Sequence, residues 1–169
     1  MRIILFERAT LLLISALLLI ACSSNSPAFL SPYKVEFNVI PTDDINIYSD
    51  DEARPVKVRV YQLNEIGPFK NADFLSLYNK DREILADSLI DVVTLPPVIP
   101  GVAQKLSLDI QQEARYLAVL VEFANYETTT TKSFIGLVED PDEHSVFIRI
   151  TSTKIELTQP VESAWWQIF

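Results

Sequence analysis

The chain has 169 residues, a net charge of −9, one cysteine, one histidine and three glycines. That length carries one domain with a core of its own. Its acidity speaks against nucleic acid and against a surface that hugs anionic lipid. A single cysteine excludes an internal disulfide, and so little glycine leaves no glycine-rich phosphate cradle.

At the N-terminus, Arg2 and Arg8 precede an apolar run over residues 11–20, about half the length a bilayer-spanning helix needs. Ala21 and then Cys22 follow directly. A basic start, a short apolar core, a small residue and a cysteine form the cleavage site of a bacterial lipoprotein. Residues 1–21 are predicted to be removed and Cys22 to be acylated. A plain secretory signal with a coincidental cysteine is the rival reading. Ser23 stands where an Asp would retain the protein in the inner membrane, so export to the outer membrane is expected. Loss of Arg2, Glu7 and Arg8 leaves the mature chain at about −10. Several acyl chains together anchor stably, where one alone does so only marginally.

Residues 22–32 read as a tether containing Pro27, and residues 33–169 as the folded domain. About nine tether residues, 23–31, reach at most roughly 30 Å, which holds the domain close to its membrane. Tyr33, Val35, Phe37 and Val39 alternate with polar residues, the period of a half-buried strand closed by Pro41. A polar, acidic stretch runs from Thr42 to Pro55. Val56, Val58 and Val60 then open a second strand that ends near Leu63. A connection of about 14 residues exceeds what a tight hairpin uses, so this one is functional or floppy.

Gly67-Pro68 marks a turn, Asn71 is a candidate cap, and Phe74, Leu77, Tyr78, Ile84 and Leu85 have helical spacing, predicting a helix over about 72–86. Residues 89–93 read as a strand, Pro100-Gly101 as a turn, and Leu106, Leu108 and Ile110 as a further alternating strand. Residues 116–123 are almost wholly apolar, the mark of a central strand covered on both faces. Residues 132–138 look like its neighbour, and strands are expected around 146–150 and 153–157. Trp165, Trp166, Ile168 and Phe169 make the C-terminal tail too apolar to dangle. Short half-polar strands with one helical insertion predict a mainly β, two-sheet sandwich.

Candidate chemistry is thin. His144 sits beside Glu143 and Ser145, but adjacent strand residues face opposite ways, so a hydrolytic triad is a poor fit and an exposed turn histidine a good one. Asp50, Asp51 and Glu52 lack the spacing of a calcium loop and read as a solvated face. Asp140 and Asp142 share a proline-containing turn that does not set two carboxylates across a cleft. Thr128–Thr131 reads as an edge strand or hairpin end. Trp165 and Trp166 are either a recognition patch or pins for the terminus. Phe74, Leu77 and Tyr78 are expected in the core. No cofactor, metal or small-molecule substrate is expected, nor any enzyme activity.

The leader, the run Arg54-Pro55-Val56-Lys57-Val58-Arg59-Val60-Tyr61-Gln62-Leu63, Phe69 followed by Ala72-Asp73-Phe74 and Leu77, and Pro100-Gly101 together resemble the type VI secretion lipoprotein family TssJ (SciN). Ile45-Asn46 lies where members often show an asparagine before the loop. The resemblance implies a transthyretin-like β-sandwich with a short helical insertion, lipid-anchored in the outer membrane and facing the periplasm. It implies as partner the periplasmic C-terminal region of TssM, and through it TssL. It places partner contact on the loop between the first two strands: Asn46, Ile47, Tyr48, Ser49, Asp50, Asp51, Glu52, Ala53 and Arg54. Tyr48 is the expected anchor, with Asp50, Asp51 and Glu52 steering. Two departures stand out. The loop is acidic and lacks glycine where the family's is often basic or glycine-containing, and Phe134 stands for a strand tryptophan as a core substitute. A pilot lipoprotein for an outer-membrane secretin is the alternative reading.

Overall fold

Alternation along the strands decides which side chains turn inward. β1 (Tyr33–Pro41) buries Val35, Phe37 and Val39 completely and turns Lys34, Glu36 and Asn38 outward. In the computed structural model, which describes residues 30–161, it is the inner strand of a four-stranded sheet. Its neighbours are β4 (Gln104–Ile110), antiparallel, and β7 (Val146–Ile150), parallel; β8 (Ile155–Thr158) completes the order β4-β1-β7-β8. The second sheet, β3-β2-β5-β6, is antiparallel throughout. It comprises β3 (Leu89–Thr94), β2 (Val58–Leu63), β5 (Tyr116–Val121) and β6 (Lys132–Gly136). The leader, Cys22, Trp165 and Trp166 lie outside the described residues.

The sheets enclose one core, in which Phe37, Val60, Val119 and Ile148 are at most 1% exposed. A second core lies on the outer face of β3-β2-β5-β6, where Tyr61, Leu63, Ala118 and Leu120 meet Phe69, Leu77 and Leu85. These last three come from a short helix α1 (Gly67–Asn71) and a longer α2 (Phe74–Leu85). The unbroken apolar run of β5 follows, since both its faces are covered. One polar side chain crosses the interior: buried Gln62 donates to Asp109 O (2.8 Å) and accepts from Gln111 N–H (2.8 Å). It joins the end of β4 to β2 and leaves neither amide group unpaired.

Four sequence expectations change here. Gly67-Pro68, read as a turn, opens the helix α1, since proline at the first helical turn needs no N–H partner. Asp73, not Asn71, caps the long helix, its carboxylate accepting from the Ser76 N–H and Oγ–H, each at 2.8 Å. Tyr78 is 45% exposed and Phe74 only half-buried, the two rings stacking on each other at the edge of the second core. Phe134, opposite Ala118 on the edge strand β6, is 40% exposed instead of in the core.

Strand direction sorts the connections between two ends. The chain enters β1 at Tyr33, while the β1–β2, β3–β4, β5–β6 and β7–β8 loops gather at the other end. Val39 there adjoins Gln104, Pro41 adjoins Ile150, and Arg59 adjoins both Thr94 and Leu120. Nine residues of β1 separate the ends by about 26 Å at roughly 3.3 Å per residue.

Candidate functional site

The β1–β2 connection, residues 42–57, is the longest loop at this end, and its base is built with care. Ile45 is fully buried beneath it. Asn46 takes a left-handed backbone (φ 53°), which its short polar side chain tolerates better than most. Its Nδ2 donates to Pro55 O (3.0 Å) and its Oδ1 accepts from the Ala124 N–H (2.7 Å). One side chain thus closes the loop on itself and ties it to the β5–β6 loop. Arg54 N–H donates to Ile45 O (3.3 Å), and Gly101 N–H donates to Thr42 O (3.1 Å), docking the β3–β4 loop alongside. Gly101 has φ +68°, and a Cβ there would run into the Asp43 carboxylate, so this contact requires glycine.

Farther out, the loop is organised by charge. Arg54 grips Asp50 through both terminal guanidinium nitrogens, the Nη1 contact at 2.7 Å, and Nη1 also donates to Glu52 O (3.0 Å). The Arg54 hydrogen bond holds the Asp50 carboxyl well below its ordinary range, at about 2. Glu52 Oε2 stands 3.5 Å from the same guanidinium. Of the three acidic residues expected to steer a partner, Asp50 is therefore spent inside the loop, Glu52 is exposed but shares the same arginine, and Asp51 faces water. Asn46 and Arg54 are loop-builders with engaged side chains. Ile47 is half-buried. Tyr48, 59% exposed, stands out with Ser49, Asp51, Glu52 and Ala53 as the groups free to meet another surface.

The other candidate chemistry is dispersed. Ser145 Oγ donates to Glu36 (3.2 Å), and His144 contributes its backbone carbonyl to Gln159 Nε2 (2.9 Å). Among the described residues no group of three His, Cys, Asp or Glu is arranged to hold a metal ion. What sequence reasoning missed is the company the loop keeps. Ile99 and Val102 of the β3–β4 loop, 48% and 49% exposed, stand at the same end as Tyr48. Proline-punctuated Leu95-Pro96-Pro97-Val98-Ile99-Pro100 was a signal of a shaped loop, but not of its neighbour.

A two-sheet β-sandwich with a helical cover on one face, gathering four loops at the end opposite chain entry, defines the class: a β scaffold that carries a loop-built surface. The sequence profile of the type VI secretion lipoproteins (T6SS-SciN; VasD, EvfM, TssJ) matches residues 33–158, and the chain belongs to that family. Solved structures share the fold. The type VI secretion lipoprotein TssJ1 of Pseudomonas aeruginosa superposes with a TM-score of 0.70 at 16% identity, over 78% of this chain and 99% of that one. Lip of Serratia marcescens, described as a membrane-bound component of the type VI secretion system, gives 0.68 at 26% identity over 78% and 99%. A chain in a structure of the TssM C-terminal domain from EAEC gives 0.62 at 18% identity over 78% and 100%. Among curated proteins, none matches the chain.

Proposed function

We propose that this type VI secretion lipoprotein is held in the outer membrane by acyl chains on Cys22 and binds the periplasmic C-terminal region of TssM through its β1–β2 loop. The leader would be residues 1–21, the tether 22–32 and the docking domain 33–169. The observation that carries the reading is the polarity of β1: a chain tethered before Tyr33 offers its β1–β2 loop about 26 Å away, on the side facing from the membrane. The rigid base made by Asn46 supports it, since a preorganised loop spends less ordering entropy on binding. Tyr48 supplies the apolar anchor, with Asp51 and Glu52 at the rim. The Serratia relative's description as membrane-bound and the TssM structure's similar chain are consistent with this division of labour.

The test is a titration of the lipidated full chain in detergent with the TssM periplasmic region. Tyr48→Ala is expected to weaken binding by roughly tenfold or more, as a central aromatic anchor does. Wild-type affinity in that variant would remove the loop from the interface. For localisation, Ser23→Asp should shift the protein to the inner membrane. Fractionation that still finds it wholly in the outer membrane would refute the sorting argument, and retention of a fatty-acid label after Cys22→Ala would refute the anchor.

A further inference from the structure

We infer that the aromatic groove between the first turn of α2 and the β5–β6 loop is a second contact point for the same partner, receiving a bulky apolar side chain carried on a positively charged segment. This rests on the docking reading just given and adds a specificity pocket to it. The groove has a volume of about 330 Å³ and is lined by Phe74, Leu75, Tyr78, Phe123, Ala124 and Tyr126, with the Arg59-paired Glu122 at its wall. That is the lower limit of ligand-sized cavities, suited to one large side chain. Its walls are preassembled. Phe74 stacks on Tyr126 (centroids 4.6 Å apart, 18° between planes) and on Tyr78 (5.7 Å, 25°), and the Arg59 guanidinium stands 5.6 Å from the Tyr78 ring centre. Leu75 and Tyr78 are nevertheless 48% and 45% exposed, so the groove is open to a partner.

Two observations say what fills it. The first is continuity. Ala124, in the groove wall, is the residue whose N–H binds Asn46 Oδ1 at the root of the β1–β2 loop. A protein surface seated on the loop therefore reaches the groove without a gap. The second is charge. Among the described residues, Asp43, Asp44 and Asp51 of that loop and Glu127 of the β5–β6 loop make no ion pair, whereas Arg59 is shared between Asp81 (2.7 Å) and Glu122 (2.8 Å). The loop end as a whole therefore carries uncompensated negative charge, with Glu127 next to the groove residue Tyr126, which selects for an apolar residue with basic neighbours.

The experiment is the same titration of the full lipidated chain with the TssM periplasmic region, using Leu75→Lys, Leu75→Ala and Tyr48→Ala. Leu75 is a surface residue, and unchanged thermal unfolding of both variants will show that the fold is intact. Leu75→Lys is expected to raise Kd about tenfold or more, Leu75→Ala by a smaller factor, and added salt to weaken the wild type. If Tyr48→Ala weakens binding and both Leu75 variants bind like wild type, the groove is not a contact and the loop reading stands. If the wild-type chain does not bind TssM, the loop reading falls and the groove assignment with it. If Leu75→Lys abolishes self-association in sedimentation while sparing TssM affinity, the groove belongs to a second copy of this chain and the inference is overturned.

Discussion

The connections on either side of β2 are held by opposite means. The one after it, residues 64–88, is fastened by apolar burial: Phe69, Leu77 and Leu85 pack on Tyr61, Leu63, Ala118 and Leu120. Polar locks back this up. Lys132 Nζ donates to the carbonyls of Phe69 (3.1 Å), Lys70 (3.3 Å) and Ala72, closing the end of α1, and stands over the Phe69 ring. Burial lowers the pKa of this lysine. Arg59 binds Asp81 and Glu122, and the Tyr61 hydroxyl donates to Asp81 (3.1 Å). Burial pushes Asp81 up, but its bonds to Arg59, the Arg82 N–H and Tyr61 outweigh that and bring it below the ordinary range. The connection before β2 buries Ile45 and, next to β2, Val56, which is bridged to Val98 of the β3–β4 loop; its outer part hangs on Asn46 and on Arg54. The difference separates tasks: the helical connection contributes to the stability of the fold, and the loop contributes a surface that can change without unfolding it.

That contrast can be broken most forcefully at Phe69. Phe69→Ala is expected to cost about 3–5 kcal/mol in denaturant unfolding, because a fully buried ring leaves a cavity on the sheet. A cost near that of a surface change would mean the helices are loosely applied. Arg59→Ala leaves Asp81 without a cation and Glu122 with only Lys57, at 3.4 Å. The expected loss is about 2–3 kcal/mol, less than for a fully buried pair because these side chains are 12–18% exposed.

On the loop side the effects shrink. Asn46→Ala removes two hydrogen bonds and places Ala at a positive φ, for about 1–2 kcal/mol. Asn46→Gly restores the backbone freedom but not the bonds. If both variants lose the same stability, the bonds carry the effect; faster amide exchange confined to residues 46–54 would mark the loop as a separate unit.

The Asp50–Arg54 clamp is sharper still as a probe. Asp50 is depressed in the folded loop, so the clamp's contribution is present above the ordinary carboxylate range and is lost as pH falls through about 2. A carboxyl NMR titration should show a midpoint near 2 for Asp50, returning toward its ordinary value in Arg54→Ala. Smallest of all, Asp51→Asn with Glu52→Gln should alter stability by less than about 0.5 kcal/mol. A larger loss would show that the loop rim is structural after all.

Much of this was legible along the chain. The two-residue period of Tyr33–Val39 and the continuous apolar stretch around Tyr116–Phe123 told a half-buried strand from a doubly covered one, because side-chain direction alternates and burial follows it. The length of the β1–β2 connection was itself a signal. Tyr78 and Phe134 misled because hydrophobicity at the right spacing does not say what covers a residue: Tyr78 is exposed on its helix and Phe134 on the edge strand β6. Asn71 and Asp73 competed as caps, and a two-residue difference depends on where the preceding short helix ends.

By itself, then, the order of residues determined a set of seven or eight strands, the doubly buried strand, the presence of a helical insertion and the family to which the chain belongs, all of them consequences of local periodicity and short motifs. Tertiary structure alone decided that Asn46 meets Ala124, that Gln62 bridges to β4, that Asp50 is consumed by Arg54, and that an aromatic groove adjoins the loop. Apart from the Asp50–Arg54 pair, these contacts join residues distant in sequence. They exist only once two sheets and a helical cover have closed, and no window of neighbouring residues contains the geometry that makes them.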